Sequence, residues 1–224
     1  MRVVSLVPSV TETLLAWGVT PIACTRYCEQ PGLPTVGGTK NPDLEAIIRL
    51  EPDLVVMDEE ENRRQDHDHL TSAGVAVHVL AVRSVGDVEA QLPPLADAVG
   101  AAPGPLTPGR PARCRPRLAF VPIWRRPWMR LGDDTYGASL LGLLDITLVP
   151  TGGGRYDEIG LDEVRRSDPE VVLVPSEPYD FTDEHLVELH TLAPTVRVDG
   201  KDLFWWGVRT VGAVERLAGR LCHP

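Results

Sequence analysis

Short apolar runs typical of buried β-strands alternate with helical patterns along the first 99 residues. The strand-like runs read VVSLV, PIACT, DLVVMD and VAVHVLAV, and helical patterns lie between them at 9–17, 43–50 and 62–73. Glycine or proline marks most of the junctions between them. Since neighbouring parallel strands need a crossover connection that is usually a helix, this alternation predicts an α/β fold with a mostly parallel sheet flanked by helices.

The alternation stops at residues 100–116, which read GAAPGPLTPGRPARCRP and contain five prolines and three glycines. A continuous helix cannot run through such a segment, because each proline removes a backbone donor and clashes with the preceding turn. Beyond it the strand-like runs RLAFVPI, DITLVP, EVVLVP and PTVRVD follow, with helical patterns near 135–143, 160–167, 182–190 and 207–221. We therefore predict an N-terminal α/β lobe at 1–99, a Pro/Gly-rich linker at 100–116 and a C-terminal α/β lobe at 117–224.

The two lobes share an internal repeat. The segments LEAIIRLEPDLVVM (44–57) and LDEVRRSDPEVVLV (161–174) align without gaps, so that Pro52 matches Pro169. In each segment a short helical pattern ends before the proline and a buried strand follows at once. This repeat predicts two related lobes.

Composition excludes several classes of partner. The net charge of −10 argues against nucleic acid and against an anionic membrane surface. The sequence contains no apolar run near the length of about 20 residues that spans a bilayer. We expect a monomer without nucleic-acid partner or transmembrane segment.

The expected compartment follows from the N-terminus and the cysteines. The opening MRVVSLVPSV lacks the apolar core and small-residue cleavage site of a signal peptide. The four cysteines, Cys24, Cys28, Cys114 and Cys222, are too scattered for a dense disulfide framework, which fits reducing surroundings. We favour plain thiols over a zinc site at Cys24 and Cys28. The expectation is a cytoplasmic protein, or an extracytoplasmic one if the sequence was trimmed to its mature part.

Three stretches, in order, resemble the helical-backbone metal receptor superfamily. RVVSLVPSVTETLLAWGV is similar to its first strand, Pro-Ser turn and first helix, and GGTKNPDLEAIIRLEPDLVV to its glycine-rich loop, helix and strand. SDPEVVLVPSEPY resembles the matching strand of the second lobe. These class III periplasmic binding proteins deliver vitamin B12, iron–siderophore chelates, haem or metal ions to ABC importers, and the cobalamin-binding members are the most similar. The family joins its lobes by a long helix, which the linker at 100–116 replaces here.

The resemblance implies a ligand between the lobes, at loops that follow the carboxyl ends of the strands. Four of the five tryptophans fall on such loops, and tryptophan offers broad, rigid contact surface with a polar handle. The alternative is that Trp124 continues a strand into the core and Trp206 anchors the last helix; Trp128, beyond Pro127, is the residue we expect to form a ligand wall. The predicted ligand-binding residues are Tyr27, Cys28, Glu59, Arg63, Trp124, Arg126, Trp128, Glu177, Tyr179, Phe181, Trp205, Trp206 and Arg209.

Several charged residues have two interpretations. Glu59 and Arg63 lie in DEEENRR (58–64), which is either an acidic helix start or a contribution to the ligand site. Glu45 and Asp162 occupy equivalent positions in the repeat. In the cobalamin-binding relatives a glutamate there contacts arginines of the transporter, so the resemblance implies docking to an ABC permease. Otherwise both are exposed carboxylates at helix N-termini.

Signatures of catalysis and of direct metal binding are weak. TGGGRYD (151–157) lacks the Lys-Ser/Thr ending of a phosphate-binding loop, and the sequence has no GxSxG turn. The histidines are not spaced to share one metal ion. We therefore predict a substrate-binding protein without catalysis or intrinsic cofactor, whose ligand is a corrinoid or metal chelate such as cobalamin, a siderophore or haem. The alternatives are a direct divalent metal-ion receptor, using Cys28, Glu59, Glu177 and histidines, and a cytoplasmic enzyme or regulator on the same fold.

Overall fold

The computed structural model describes residues 1–106, 108–109 and 114–222. The chain forms two compact units. The first comprises Met1–Val82, Gly86–Leu106 and Trp206–Val208, and the second comprises Arg83–Val85, Thr107–Trp205 and Arg209–Pro224. Of the predicted linker 100–116, residues 107 and 110–113 lie outside the described residues, as does His223. The described part of this linker contains neither helix nor strand.

The first unit is built on a four-stranded parallel sheet in the order β2-β1-β3-β4. Its core is formed by apolar side chains of the sheet and of the helices that cover it, including Val4, Val55 and Met57. In chain order its elements are β1 (Val3–Ser5), α1 (Pro8–Ala16), β2 (Ala23–Cys24), α2 (Leu44–Arg49), β3 (Leu54–Asp58), α3 (Arg64–Ser72), β4 (Val77–Leu80) and α4 (Val85–Val99).

The second unit repeats this arrangement with a parallel sheet in the order β10-β9-β5-β8, and adds an antiparallel hairpin, β6-β7. Its elements are β5 (Arg117–Phe120), β6 (Pro122–Trp124), β7 (Met129–Arg130), α5 (Tyr136–Gly142), β8 (Ile146–Leu148), α6 (Leu161–Arg166), β9 (Val171–Pro175), α7 (Asp183–His190), β10 (Thr195–Val198), α8 (Gly200–Phe204) and α9 (Arg209–Leu221). Read in chain order, β1 to β4 correspond to β5, β8, β9 and β10. The predicted α/β fold with two lobes of parallel sheet is therefore confirmed.

The repeat in the sequence is also a repeat in the structure. The residues before the matching prolines, Glu51 and Asp168, both have left-handed backbone, with φ of 45° and 50°. Few residues other than glycine adopt this conformation, so its occurrence at equivalent positions shows that both units leave the helix in the same way. The helix then passes directly into β3 in one unit and β9 in the other.

Matching carboxylates fix the edge of each repeat to the strand beside it. Asp53 accepts a hydrogen bond from the backbone N–H of Arg2 at 2.6 Å, and Glu170 accepts one from the backbone N–H of Leu118 at 3.0 Å. In return, the backbone N–H of each acidic residue donates to the carbonyl of the same partner. Each carboxylate thereby satisfies a donor at the start of its sheet.

Two features of the fold differ from the sequence-based expectation. Helix α4 was not predicted, since Pro93 and Pro94 lie inside it. The sequence predicts RLAFVPI as one strand, but it divides into β5 and β6, and β6 pairs with β7 rather than with the main sheet. That division decides where the second unit's tryptophans lie.

The expectation of four reduced cysteines is wrong for one pair. Cys114 and Cys222 form a disulfide bond that joins the residues before β5 to the end of α9, 108 positions apart. Cys24 and Cys28 are free and buried. The disulfide encloses nearly all of the second unit in one covalent loop, which restricts its unfolded chain.

Replacement of Cys114 by serine should lower the free energy of unfolding of the second unit by about 2–4 kcal/mol, because the unfolded chain regains the freedom of a long loop. Denaturant titration with and without dithiothreitol measures the loss. Wild type under reducing conditions is the matched control and should lose a similar amount. Reaction of four thiols, instead of two, in unreduced denatured wild type would contradict the disulfide.

Candidate functional site

Tyr27 is the exposed aromatic residue of the first unit's candidate site. It lies in a 3-10 helix (Arg26–Cys28) directly after β2, and 52% of its surface is exposed. The Arg26 guanidinium lies over its ring at 5.0 Å from the centroid. The loop containing Gly38 passes so close that an added Cβ would lie 3.1 Å from Tyr27 Cε2. Glycine at position 38 therefore allows this loop to pass close to the tyrosine.

Cys28 does not reach the surface of this site. It is 1% exposed, and its Sγ lies 3.2 Å from the hydroxyl oxygens of Thr11 and Thr25. Burial, together with the neighbouring Cys28, raises the pKa of Cys24 to about 12. That thiol therefore stays protonated at neutral pH, and buried thiols of this kind are unreactive. The prediction of Cys28 as a ligand contact is corrected to a packing role beside Thr11 and Thr25.

The turn after β3 is organised by two residues that the sequence-based site omitted, Asp58 and Asn62. Asp58 Oδ1 accepts hydrogen bonds from the backbone N–H groups of Glu60 and Glu61 at 2.9 and 3.2 Å. Asn62 Oδ1 accepts from the Asp58 N–H at 2.8 Å, and its amide donates to two carbonyls of neighbouring loops. The signal available in the sequence was an Asp and an Asn spanning a turn at the end of a buried strand.

This turn leaves the two predicted site residues Glu59 and Arg63 exposed. Arg63 precedes the first residue of α3, and Glu59 comes directly after the last residue of β3. Beneath them, burial raises the pKa of Asp58 to about 6, although the backbone N–H groups around it lower the pKa in part. The turn therefore contains a carboxyl group that titrates near neutral pH.

Asp58→Asn should remove a pH dependence of stability. Since the pKa of Asp58 is raised on folding, the native state holds the proton more tightly, and stability falls as pH rises from about 4 to 6. Relative to the variant, wild type should lose on the order of 2 kcal/mol between pH 4 and 7. Urea titrations across this range measure the difference. The exposed Asp97→Asn serves as control and should follow wild type; parallel curves for Asp58→Asn would refute the assignment.

In the second unit, exposed Trp124 and half-buried Tyr179 form an aromatic pair. Trp124 ends β6 and is 44% exposed, while Tyr179 lies in the loop after β9. Their ring centroids are 5.1 Å apart with an interplanar angle of 69°, an edge-to-face contact. We call these two residues the aromatic wall. The alternative in which Trp124 enters the core is therefore wrong.

Trp128 and Phe181 lie behind the aromatic wall in the core, which corrects the prediction that both line a ligand site. Trp128 is 9% exposed and Phe181 2%, and their rings stack at 5.9 Å with planes 8° apart. The reason is the hairpin: after Pro127 the chain turns back as β7, and Trp128 packs with Phe120 and Val174 of the sheet. Phe181 in turn contacts Tyr179, with centroids 4.9 Å apart.

Glu188 on α7 holds this buried layer in place. One of its carboxylate oxygens accepts from Arg125 Nε and Nη2 at 3.1 and 2.8 Å, and the other accepts from Trp128 Nε1 at 3.3 Å. The Arg125 guanidinium also lies over the Trp128 ring, 4.8 Å from its centroid. A single carboxylate therefore satisfies the polar atom of a buried tryptophan and the charge of the arginine that covers it.

Glu188→Gln should lower stability by about 1 kcal/mol, because a partly buried arginine loses its charged partner. The indole of Trp128 should also become more mobile, which a red shift of tryptophan emission would report. Glu215→Gln, at an exposed position in the middle of α9, makes the same change in charge without the contact and should leave both quantities unchanged. Identical behaviour of the two variants would show that Glu188 has no anchoring role.

Glu177 and Trp205 form a second contact near the end of β9. Trp205 Nε1 donates to Glu177 Oε1 at 2.8 Å, and the Lys201 ammonium lies 4.5 Å from the centroid of the indole. Gly200, at the start of α8, permits this approach, since an added Cβ would lie 2.7 Å from the Glu177 backbone nitrogen. Both side chains are half-buried and already bonded within the protein.

Of the other predicted site residues in this region, Trp206 and Arg209 have packing roles and Arg126 is exposed. Trp206 is 5% exposed, which agrees with the alternative that it anchors the last helix instead of contacting a ligand. Arg209 Nη1 lies 3.3 Å from the buried carboxylate of Asp202 and 3.8 Å from Asp199. Arg126 is exposed in the β6-β7 turn, with left-handed φ of 72°. The structure thus keeps Tyr27, Trp124 and Arg126 exposed and Tyr179 half-buried, whereas Cys28, Trp128, Phe181 and Trp206 are buried.

Two further findings concern metal binding and membrane-spanning helices. Among the described residues, three or more His, Cys, Asp or Glu side chains nowhere gather so as to hold a metal ion. Across the same residues, the helices are either too short or too polar to cross a membrane.

Comparison with known proteins identifies the fold. Residues 3–102 match the model of the periplasmic binding protein family. The vitamin B12-binding protein of Salmonella choleraesuis (strain SC-B67) is 31% identical over 98 residues, which are 41% of this chain and 37% of that relative. The periplasmic haem binding protein HutB of Vibrio cholerae superposes with a TM-score of 0.80 at 20% identity, over 100% of this chain and 99% of that chain. This chain has the fold of the periplasmic binding proteins.

The vitamin B12 binding protein BtuF of Vibrio cholerae also has this fold, with a TM-score of 0.74 at 16% identity over 98% of this chain and 96% of that chain. The resemblance predicted from the sequence is therefore confirmed: the N-terminal segment matches the family, and the whole chain has its fold. The sequence match spans little more than a third of the length of the curated relatives.

Proposed function

We propose that this protein binds a metal chelate or corrinoid and catalyses no reaction. The observation that carries the proposal is the family match over residues 3–102, combined with aromatic residues near the carboxyl ends of parallel strands. Tyr27 follows β2 and is exposed, and half-buried Tyr179 follows β9 and contacts exposed Trp124 of the hairpin. The names of the relatives describe proteins that bind vitamin B12 and haem. Open parallel sheets bind ligands at this end of their strands.

The chemistry of the exposed residues fits a large, flat ligand. Trp124 and Tyr179 present rigid aromatic surface whose conformation is fixed by the layer behind it, so little side-chain entropy is lost on binding. Tyr27 offers a further exposed ring in the first unit. Affinity should come from aromatic burial and contacts at the ligand's edge rather than from direct coordination of a metal ion by the protein.

We infer that the protein works in an oxidising, extracytoplasmic compartment. The Cys114–Cys222 disulfide supports this, since such bonds are rare where thioredoxin and glutathione keep thiols reduced. The same proposal replaces the cytoplasmic expectation based on the N-terminus.

Docking to an ABC permease through Glu45 and Asp162 is part of the proposal. Both lie in the first turn of equivalent helices, α2 and α6, with side chains 70% and 91% exposed. Each carboxylate has one basic neighbour, since His69 lies 3.6 Å from Glu45 and Arg165 lies 2.5 Å from Asp162. Both carboxylates nevertheless stay exposed to solvent. Carboxylates in this position are suited to forked contacts with arginines of a partner.

Two tryptophan variants test the proposed site. Freshly purified protein is titrated with cyanocobalamin and with haemin, following the absorption of the ligand and the quenching of tryptophan emission. Trp124→Ala should weaken binding by about tenfold, because it removes an exposed contact without disturbing the core. Trp128→Ala is the contrast: it should lower stability by about 3–5 kcal/mol.

Wild-type protein that binds neither cyanocobalamin, haemin nor a ferric siderophore would refute the proposal. Equal binding by wild type and Trp124→Ala would leave a binding protein but remove the aromatic wall from its site.

A further inference from the structure

The turn between β6 and β7 belongs to a stretch with three arginines, and only one of them is unpaired. Arg125 is bonded to Glu188 at 2.8 Å, and buried Arg130 lies 3.3 Å from Asp157. Arg126 is exposed, and it forms neither hydrogen bond nor ion pair with any residue that the structure describes. Of these three positive charges, Arg126 alone is left available to a ligand.

The backbone conformation at Arg126 also supports a role for this residue in ligand binding. Its φ of 72° lies in the left-handed region, where a side chain is strained and glycine or asparagine is favoured. Arginine therefore occupies a position that the turn alone would give to another residue. Backbone strain of this kind is concentrated at functional sites, so the observation supports a role for the side chain beyond forming the turn.

Arg126 is also close in the chain to the aromatic wall. Trp124, the last residue of β6, precedes it by two positions, and Trp124 is the more exposed ring of the wall. A planar guanidinium close to an exposed ring can bond the carboxylate at the edge of a ligand whose face lies on that ring. Because the whole chain has a net charge of −10, its overall field does not attract acidic ligands, so such recognition has to be local.

We propose that Arg126 selects ligands that carry a carboxylate at the edge of a flat ring system, in preference to ligands whose edge is uncharged. This inference rests on the proposed function and narrows it to carboxylate-edged chelates, of which haem is one. Arg126 would contribute by forked hydrogen bonds at the rim of the site, while Trp124 and Tyr179 bind the face of the ligand.

The test compares two probes that differ only at the edge, haemin and haemin dimethyl ester, in which both carboxylates are neutralised. Dissociation constants are measured for wild type, Arg126→Gln and Arg126→Lys by absorption titration. Arg126→Gln should weaken haemin binding by about tenfold, the scale of one hydrogen bond to a charged group, and leave the ester within about twofold. Arg126→Lys should give an intermediate loss, since it keeps the charge but not the fork.

Arg220→Gln, an exposed arginine on α9, makes the same change in net charge and should bind both probes as wild type does. Unchanged haemin affinity in Arg126→Gln, or an equal loss for haemin and its ester, would overturn the selectivity proposal while the proposed function stands. A wild type that binds neither probe but binds cyanocobalamin would also overturn it alone. Failure to bind any chelate would refute both proposals.

Discussion

Parallel pairing of β1 with β3, and of β5 with β9, is the constraint on which the rest of the structure depends. Each pair joins the first strand of a unit to the strand of the internal repeat, and each is fixed at its start by a carboxylate, Asp53 or Glu170. Parallel strands bring all their carboxyl ends to one edge. The loops that contain Tyr27, Asp58 and Tyr179 are therefore placed at those edges by the pairing itself.

The candidate site of the second unit is built in two layers with different physical roles. The buried layer, in which Glu188 holds Arg125 and Trp128 against Phe181, satisfies its own polar groups. The outer layer is the aromatic wall, and it rests on the buried layer through the contact between Tyr179 and Phe181. Since the supporting layer is close-packed, the rings in front of it are held in one orientation before any ligand is present.

Much of the fold could be predicted from the sequence because strands and helices have local signatures. Helix α4 was missed, since Pro93 and Pro94 are normally signs of a break, and tertiary packing overrides them here. The placement of tryptophans was less predictable. Trp124 and Trp128 are four positions apart, and only the pairing of β6 with β7 decides that the first is exposed and the second buried. A long-range contact of this kind has no local signal.

The sequence identified the charged residues of the site but not the role of each one. The reason is again that long-range contacts, which have no local signal, decide these roles. Arg125, Arg126 and Arg130 are equivalent as letters, yet Glu188 and Asp157, 63 and 27 positions along the chain, neutralise two of them. What distinguishes Arg126 is therefore the absence of a partner among the described residues, together with its left-handed backbone. Under the proposed function, aromatic burial would supply most of the affinity, whereas one free guanidinium at the rim would decide between ligands of the same shape. Such a division allows selectivity to change by a single substitution in an exposed turn, without any change to the packed layer that supports the wall.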